Sequence, residues 1–429
     1  MRSWNRKILW IASLAWALGA HAQLLPRVQV PGVPLPQLPV EPALRGAGDT
    51  LRTLPTRAAR SQQLFEQHRA ELDRDSRGEL VVRAEVVALD ITDSALAKAK
   101  QADFLVKRTQ ELADLGVKVT ILQTPQGWSA RRGLARLRKL DPDGTYDYNH
   151  VYLDSGGVIG PTAARTAPAE TAAEAAGPRP RVGVIDGGVD AGHVSLRASV
   201  VHRFGCGGEY KPNAHGTAVG SLLAGFATNF AGAAPRAELF AADVYCGSPT
   251  GGSVDEAAAA FGWMAQQRVA VINVSLVGPR NALLERVVKT LVERGYLIVA
   301  AVGNDGPASP PLFPAAYEGV VGVTAVDAKH RVLVEACRGK HVEFAAPGAD
   351  LVAAVQAQPE GYADVRGTSF AAPLVAGLLA REFVAPDLAA RERVIAELVA
   401  KAEDLGTRGR DDTYGVGLVA ADLAPKPIK

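Results

Sequence analysis

Four short stretches carry side chains suited to chemistry at a carbonyl. Val182-Gly183-Val184-Ile185 ends in Asp186-Gly187-Gly188, a carboxylate at the end of an apolar run, where a helix cap or turn residue also commonly stands. His215-Gly216-Thr217 opens a helical pattern. The positive end of a helix dipole disfavours imidazolium there, which leaves a neutral ring, either a proton acceptor or a hydrogen-bonded core histidine. Gly367-Thr368-Ser369-Phe370 places a serine at a glycine-initiated turn leading into an apolar helix. That geometry exposes a hydroxyl beside its own backbone N–H, although a plain N-cap serine has the same local sequence. Val302-Gly303-Asn304-Asp305-Gly306 ends another run and offers the Asn304 amide, in a context that also suits a simple turn. Each stretch has an ordinary structural explanation. Together, in the order Asp, His, Ser with a separate amide donor, they form the complement needed for acyl transfer: nucleophile, base, orienting carboxylate and oxyanion donor.

These residues need a scaffold that brings strand ends and helix starts together. From Arg181 the chain alternates short apolar runs with helical stretches. The runs are Val182–Asp186, Val200–Phe204, Glu238–Tyr245, Val269–Leu276, Tyr296–Gly303, Val320–Asp327 and Val342–Gly348. Near-continuous Val, Ile, Ala and Leu is the pattern of strands covered on both faces. Helices are expected at 253–267, 280–295, Ser369–Phe383 and Leu388–Ala402. The reading is a doubly wound, mainly parallel seven-stranded α/β sheet over 181–425, whose ligands bind beyond the carboxyl ends of the strands. The glycines around Asp186 lack the Lys-Ser/Thr of a phosphate loop and the Gly-x-Gly-x-x-Gly spacing, which argues against a nucleotide site.

Ahead of this region the organisation is modular. Residues 1–22 have a basic start (Arg2, Arg6, Lys7), an apolar run from Ile8 to Ala20 and a small-x-small end at Ala20-His21-Ala22, as in a secretory signal peptide. Residues 23–50 are a Pro-rich spacer and 51–78 a charged helical segment around Leu64-Phe65 and Leu72. Residues 79–155 read as a small α+β domain of βαβαβ order: strand Glu79–Asp90, helix Ala95–Leu115, strand Val117–Leu122, helix Ala130–Leu140, strand His150–Leu153. Residues 156–180, almost entirely Gly, Pro, Ala, Thr and Glu, read as a flexible linker.

The 429-residue chain is 48% apolar and 21% charged, with 43 Gly and 27 Pro, ample for a buried core and unlike a disordered or polytopic membrane protein. Lys+Arg 47 against Asp+Glu 45 leaves +2, which gives no electrostatic case for a nucleic-acid partner. Cys206, Cys246 and Cys337 are too few and too scattered for a zinc ribbon.

The assembled motifs resemble those of the subtilisin-like serine peptidases (subtilases, peptidase family S8). The matching segments are VIDGGVDAGH at 184–193, HGTAVG at 215–220, VINVSLVGP at 271–279, AAVGND at 300–305 and GTSFAAPLVAG at 367–377, spread over 180–425. The resemblance implies an endopeptidase in which Ser369 attacks the scissile carbonyl and His215 takes its proton. Asp186 orients His215, and Asn304 with the Ser369 N–H binds the oxyanion. It implies that Ser275-Leu276-Val277-Gly278 pairs with the substrate as an added strand. Many members have Gly where this chain has Val277, a departure that bears on the first specificity pocket. No cofactor is required. The loop that often binds calcium in the family corresponds to Gly225–Gly232, which offers Asn229 and carbonyls but no carboxylate, so no metal is expected there. In the subtilase sheet the strands before Cys206 and Cys246 are neighbours, which implies a disulfide in an exported protein, with Cys337 left as core. The domain at 79–155 stands where the family carries its propeptide, and 156–180 where processing would fall; a retained accessory domain is the plainer alternative. Expected partners are polypeptide substrates and this N-terminal domain, in a monomer without membrane anchor after signal cleavage, periplasmic or extracellular. The reading from another class is a catalytically silent fold acting as a binding or scaffold module. His215 argues against the related peptidases that use carboxylates in its place.

Overall fold

The structure is a computed structural model. It describes residues 55–161, 179–227, 230–356 and 361–423, which fall within one unit spanning Arg52–Lys429. The expected signal peptide and Pro-rich spacer lie outside the described residues.

The N-terminal part runs α1 (Arg57–Gln67), β1 (Leu72–Arg74), β2 (Leu80–Leu89), α2 (Asp93–Gln101), β3 (Leu105–Leu112), β4 (Val117–Gln123), α3 (Ala130–Leu140), β5 (Thr145–Asp154) and β6 (Gly157–Pro161). Next come β7 (Arg181–Asp186), β8 (Val200–Phe204), α4 (Ala214–Ala224), the short pair β9 (Phe226–Ala227) and β10 (Phe230–Ala231), then β11 (Glu238–Asp243) and β12 (Gly252–Ser253). They are followed by α5 (Val254–Gln266), β13 (Val271–Val274), β14 (Leu276–Val277), α6 (Ala282–Glu293), β15 (Leu297–Ala301) and β16 (Val321–Val326). The last elements are β17 (Phe344–Pro347), β18 (Leu351–Ala354), β19 (Tyr362–Arg366), α7 (Thr368–Glu382) and α8 (Leu388–Val399).

All seven expected runs form one parallel sheet, in the order β17-β16-β15-β13-β7-β11-β8. The apolar runs carry this outcome directly, because every residue of β13, β15, β16 and β17 is buried. Helices α4, α7 and α8 close one face of the sheet. Helices α5 and α6 close the other, and their apolar side chains share a core with Val87, Leu112, Val119 and Tyr152 of the N-terminal domain. Helix starts are set by local side chains: Asn213, Asn281 and Asp387 accept backbone N–H bonds at the first turns of α4, α6 and α8.

The N-terminal domain is an antiparallel sheet, β5-β2-β4-β3, whose outer face holds α2 and α3 over Phe104, Leu122, Leu134 and Leu137. Here the structure departs from the expectation of one helix over Ala95–Leu115. Helix α2 ends at Gln101, and Leu105–Leu112 is an edge strand against β4. Phe104, Leu112 and Leu115 are buried as helical spacing suggested, but Leu105 is exposed and Lys107–Glu111 is polar. A polar edge strand lacks the alternation that would reveal it, and its charges discourage pairing with other chains. Leu72 belongs to β1 rather than to the helix before it, and pairs with Val82 of β2. The stretch read as linker also differs: Gly157–Pro161 is a strand on β19, while 162–178 lie outside the described residues. No described helix is long and apolar enough to cross a membrane.

Candidate active site

Strands β7 and β11 are parallel and in register, so their terminal carboxylates, Asp186 and Asp243, stand side by side at the carboxyl edge of the sheet. Asp186 is fully buried and accepts from the Gly187 N–H at 2.6 Å. His215, in the first turn of α4, faces it, with Nδ1 2.9 and 3.0 Å from the two carboxylate oxygens. This arrangement makes Nδ1 the donor to the carboxylate, which fixes the orientation of the ring. Nε2 is buried and has no hydrogen-bond partner among the described residues. Phe370 packs beside the ring at 5.2 Å between centroids.

Helix α7 brings in Ser369. Its entry needs Gly367, whose φ of 133° is a conformation that other residues avoid. Ser369 Oγ donates to the Ser275 carbonyl at 3.0 Å rather than to His215. The hydroxyl is thus held against the backbone just ahead of β14. A polar scaffold stands behind: Asn273 Nδ2 donates to Ser275 Oγ, which donates to the Ser369 carbonyl at 3.0 Å.

The centre is filled by the protein's own chain. β5 runs antiparallel to β14, pairing Leu153 with Val277 and Asp154 with Leu276, and the Ser155 N–H donates to the Ser275 carbonyl. The carbonyl oxygen of Ser155 accepts from Asn304 Nδ2 at 2.6 Å and from the Ser369 N–H at 3.0 Å. Those are the two donors expected to bind an oxyanion. Asn304 Oδ1 accepts from the Thr368 N–H, which fixes the amide's orientation. The chain then leaves through Gly156, where a Cβ would lie 2.8 Å from Phe370 Cε2 and 3.2 Å from Ser369 Cβ. Upstream, Tyr152 is fully buried against Gly278, its hydroxyl donating to the Pro279 carbonyl at 2.6 Å.

Helix α1 lies over this strand. Arg60 pairs with the Asp154 carboxylate and donates to its carbonyl. Arg57 donates to Asp305 through its backbone N–H and Nε, both at 2.9 Å, and to Glu79 through its terminal nitrogens. Burial opposes the Arg57 charge, but Glu79 and Asp305 outweigh it and hold the guanidinium more firmly protonated than usual. Sequence reasoning missed Arg57, Arg60 and Asp305, because nothing local links residues so far apart.

Cys206 and Cys246 form a disulfide, with Cα atoms 5.0 Å apart, that ties the turn after β8 to the turn after β11. Asp243 supports the second turn by accepting from the Tyr245 and Cys246 N–H groups. Burial raises its carboxyl above the usual range, and the Asp186 charge adds to this, against those two hydrogen bonds. Cys206, Asp243 and Cys246 are the one group among the described residues with metal-ligating spacing, but both sulfurs are engaged in the disulfide. Asn229 of the expected calcium loop lies outside the described residues. Cys337 is a buried free thiol, and burial pushes it above its ordinary range. Replacing Cys206 and Cys246 with Ser opens a loop of sequence separation 40. The expected loss is about 4 kcal/mol by loop entropy, read as a lowered denaturation midpoint with a somewhat steeper slope, because the opened chain exposes more surface when unfolded.

A buried Asp-His pair, a helix-start serine and two converging amide donors at the edge of a parallel sheet define the serine-peptidase class. The sequence comparisons narrow this further. Residues 177–417 match the Subtilase family, and the chain belongs to that family of serine endopeptidases. It is 31% identical to subtilisin DY of Bacillus licheniformis over 57% of this chain and 90% of that protein. With the minor extracellular protease Epr of Bacillus subtilis it shares 32% identity over 48% of this chain, and there it spans only 32% of the relative's length. The crystal structure of fervidolysin from Fervidobacterium pennivorans, a keratinolytic enzyme related to subtilisin, superposes with a TM-score of 0.66 at 20% identity. That match covers 83% of this chain and 63% of the other, and so extends the shared fold beyond the parallel sheet into the N-terminal part.

Proposed function

We propose that this chain is an exported serine endopeptidase made as a precursor that cuts itself between Ser155 and Gly156. The observation that carries the reading is the Ser155 carbonyl oxygen held by Asn304 Nδ2 and the Ser369 N–H. In the reaction, Ser369 Oγ bonds to the Ser155 carbonyl carbon as its proton passes to His215 Nε2. The negative charge collects on the oxygen between the two donors. The C–N bond to Gly156 then breaks, and the proton on Nε2 goes to the departing amine. Water then bonds to the acyl carbon as one of its protons passes to His215 Nε2; the ester bond to Ser369 Oγ breaks, that proton returns to Oγ, and the new carboxyl of Ser155 ionises in solvent. Asp186 keeps Nδ1 protonated and stabilises the charged ring while it lasts.

The proposed cut thus lies at the N-terminal border of the segment 156–180, within which the family resemblance led processing to be expected. Residues 55–155 act as folding partner and first inhibitor, since β5 fills the strand position that a polypeptide substrate needs. Export is supported by the signal-like residues 1–22 and by the extracellular relative from Bacillus subtilis. The disulfide suits an oxidising compartment. The mature enzyme is read as a monomer without metal or cofactor.

The test is the intact mass of protein lacking residues 1–22 after incubation at neutral to mildly alkaline pH. Two pieces are expected, ending at Ser155 and beginning at Gly156. A folded chain that stays whole, leaves casein intact and is not labelled by a serine-directed phosphonate would favour the silent module instead. A second prediction concerns Gly156. Its position leaves no room for a side chain, so Gly156→Val should displace the scissile carbonyl and slow the cut roughly 100-fold. The rate of mass conversion reads this directly, and an unchanged rate would count against Ser155–Gly156 as the bond cut.

A further inference from the structure

We propose that Cys206, Asp243 and Cys246 form a redox-gated site for one soft divalent cation of the zinc class. The site is closed while the two sulfurs are linked and opens once a dithiol reduces them. The two sulfurs and one Asp243 carboxylate oxygen already lie within 4.8 Å of one another. They meet because β8 and β11 are parallel neighbours. Cys206 stands just beyond the end of β8, Asp243 ends β11, and Cys246 follows in the next turn. Asp243 is held in the pose of a ligand. Its Oδ1 accepts from the Tyr245 and Cys246 N–H groups at 2.9 and 2.8 Å, while Oδ2 lies 3.2 Å from Cys206 Sγ. A carboxylate fixed by its own hydrogen bonds is the usual support of a metal ligand.

The distances suit tetrahedral coordination. Zinc bonds of about 2.3 Å to sulfur and about 2.1 Å to oxygen set a sulfur–oxygen edge of about 3.6 Å and a sulfur–sulfur edge of about 3.8 Å. The first edge is nearly in place. The second needs the sulfurs to part by roughly 1.8 Å from bonding distance. Both cysteines are partly exposed, and Cys206 leads into Gly207 and Gly208, where a Cβ would meet nothing within 4 Å. The turn therefore has room to adjust, and water takes the fourth position. Two thiolates favour zinc or cadmium over magnesium or calcium.

In the opening step, a thiolate of the dithiol bonds to one sulfur of the Cys206–Cys246 pair and the other sulfur leaves. The second thiol of the reductant then displaces the first protein sulfur, and the reductant departs as a cyclic disulfide. Two electrons and two protons have passed to the protein. The cation binds as both thiol protons go to solvent, and it again joins the turn after β8 to the turn after β11. A cavity of about 90 Å³ beside Asp243 is walled only by residues between Gly188 and Asp243. The ligands also follow Gly156, so loss of the N-terminal piece removes no part of the site.

The experiment uses the chain lacking residues 1–22 and carrying Ser369→Ala, reduced with dithiothreitol and then freed of it without air. Cadmium is the probe, read by its ultraviolet thiolate charge-transfer band. The reduced chain should bind one cadmium ion through both thiolates, and the oxidised chain none. Zinc should raise the denaturation temperature of the reduced chain and leave that of the oxidised chain unchanged. Asp243→Asn should weaken cadmium binding at least about tenfold. Cys206→Ser should abolish the two-thiolate band, and Cys337→Ala should preserve it. A reduced chain with native circular dichroism that binds no cadmium overturns the proposal. So does one that has lost that spectrum before any cation is added, because the site needs the folded sheet. Undiminished affinity in Asp243→Asn removes the carboxylate from the site and overturns the three-ligand assignment.

Discussion

Ser369→Ala is expected to abolish both peptide hydrolysis and the cut at Ser155–Gly156, while leaving the fold intact. The Ser369 hydroxyl makes one hydrogen bond, to the Ser275 carbonyl, and Ala keeps the backbone N–H that faces Ser155. Losing that bond costs about 1 kcal/mol of stability. The chemical loss is far larger, because no other group in the site can form the acyl bond. About six orders of magnitude in kcat is the scale that subtilisin itself sets for this substitution. The variant should accumulate as a whole precursor, with β5 still in place, and so is also the form suited to crystallisation. Intact mass and casein hydrolysis check the prediction side by side. Identical cleavage in the variant and the wild type would mean that Ser369 is not the nucleophile.

Asn304→Ala is expected to lower kcat by roughly two to three orders of magnitude, again a scale established on subtilisin, with little change in KM. Asn304 Nδ2 lies 2.6 Å from the Ser155 oxygen, and Oδ1 is fixed by the Thr368 N–H. The donor is therefore aimed before any charge develops, which is why its removal is felt at the transition state more than in binding. Ala also leaves the Thr368 N–H without this acceptor, so a modest loss of stability should accompany the kinetic one. Asn304→Asp separates the two effects. It keeps an acceptor for Thr368 but puts a negative charge where the oxyanion forms, and should be at least as slow as Ala. Steady-state kinetics on a small amide substrate, with thermal unfolding beside it, reads both. A fall in kcat/KM arising from KM alone would show that Asn304 acts in binding rather than at the oxyanion.

The second of these predictions concerns a residue in one short stretch, Val302–Gly306, that is held from both sides. Gly303 accepts the Cys337 N–H through its carbonyl and donates to Thr368 Oγ1, which anchors the stretch between the sheet and α7. Any change that shifts this anchor should move the Asn304 amide from the Ser155 carbonyl and lower turnover with it.

Much of this protein was legible from residue types and spacing alone. The seven parallel strands could be read because burial on both faces demands uninterrupted Val, Ile, Ala and Leu, a pattern that survives without knowledge of neighbours. The candidate site residues Asp186, His215, Ser369 and Asn304 each sit where such a run ends or a helix starts, but each alone had an ordinary structural explanation, and it was the motif resemblance that grouped them. The edge strand Leu105–Leu112 was misread, since a strand paired on one side and wet on the other has no strong periodicity. The strand Gly157–Pro161 was invisible, because only its pairing with Tyr362–Arg366 makes it a strand.

What tertiary structure alone decided is the state of the site. Composition marked 156–180 as a linker and the family resemblance put processing there, but only the meeting of β5 with β14 puts the Ser155 carbonyl between Asn304 and Ser369. No local rule relates Arg57 to Asp305, 248 residues apart. Sequence determines which chemistry a chain can carry, because side-chain type and local conformation are local properties. Which bond that chemistry meets, and which charge waits beside it, depends on long-range packing that brings distant segments to one strand edge.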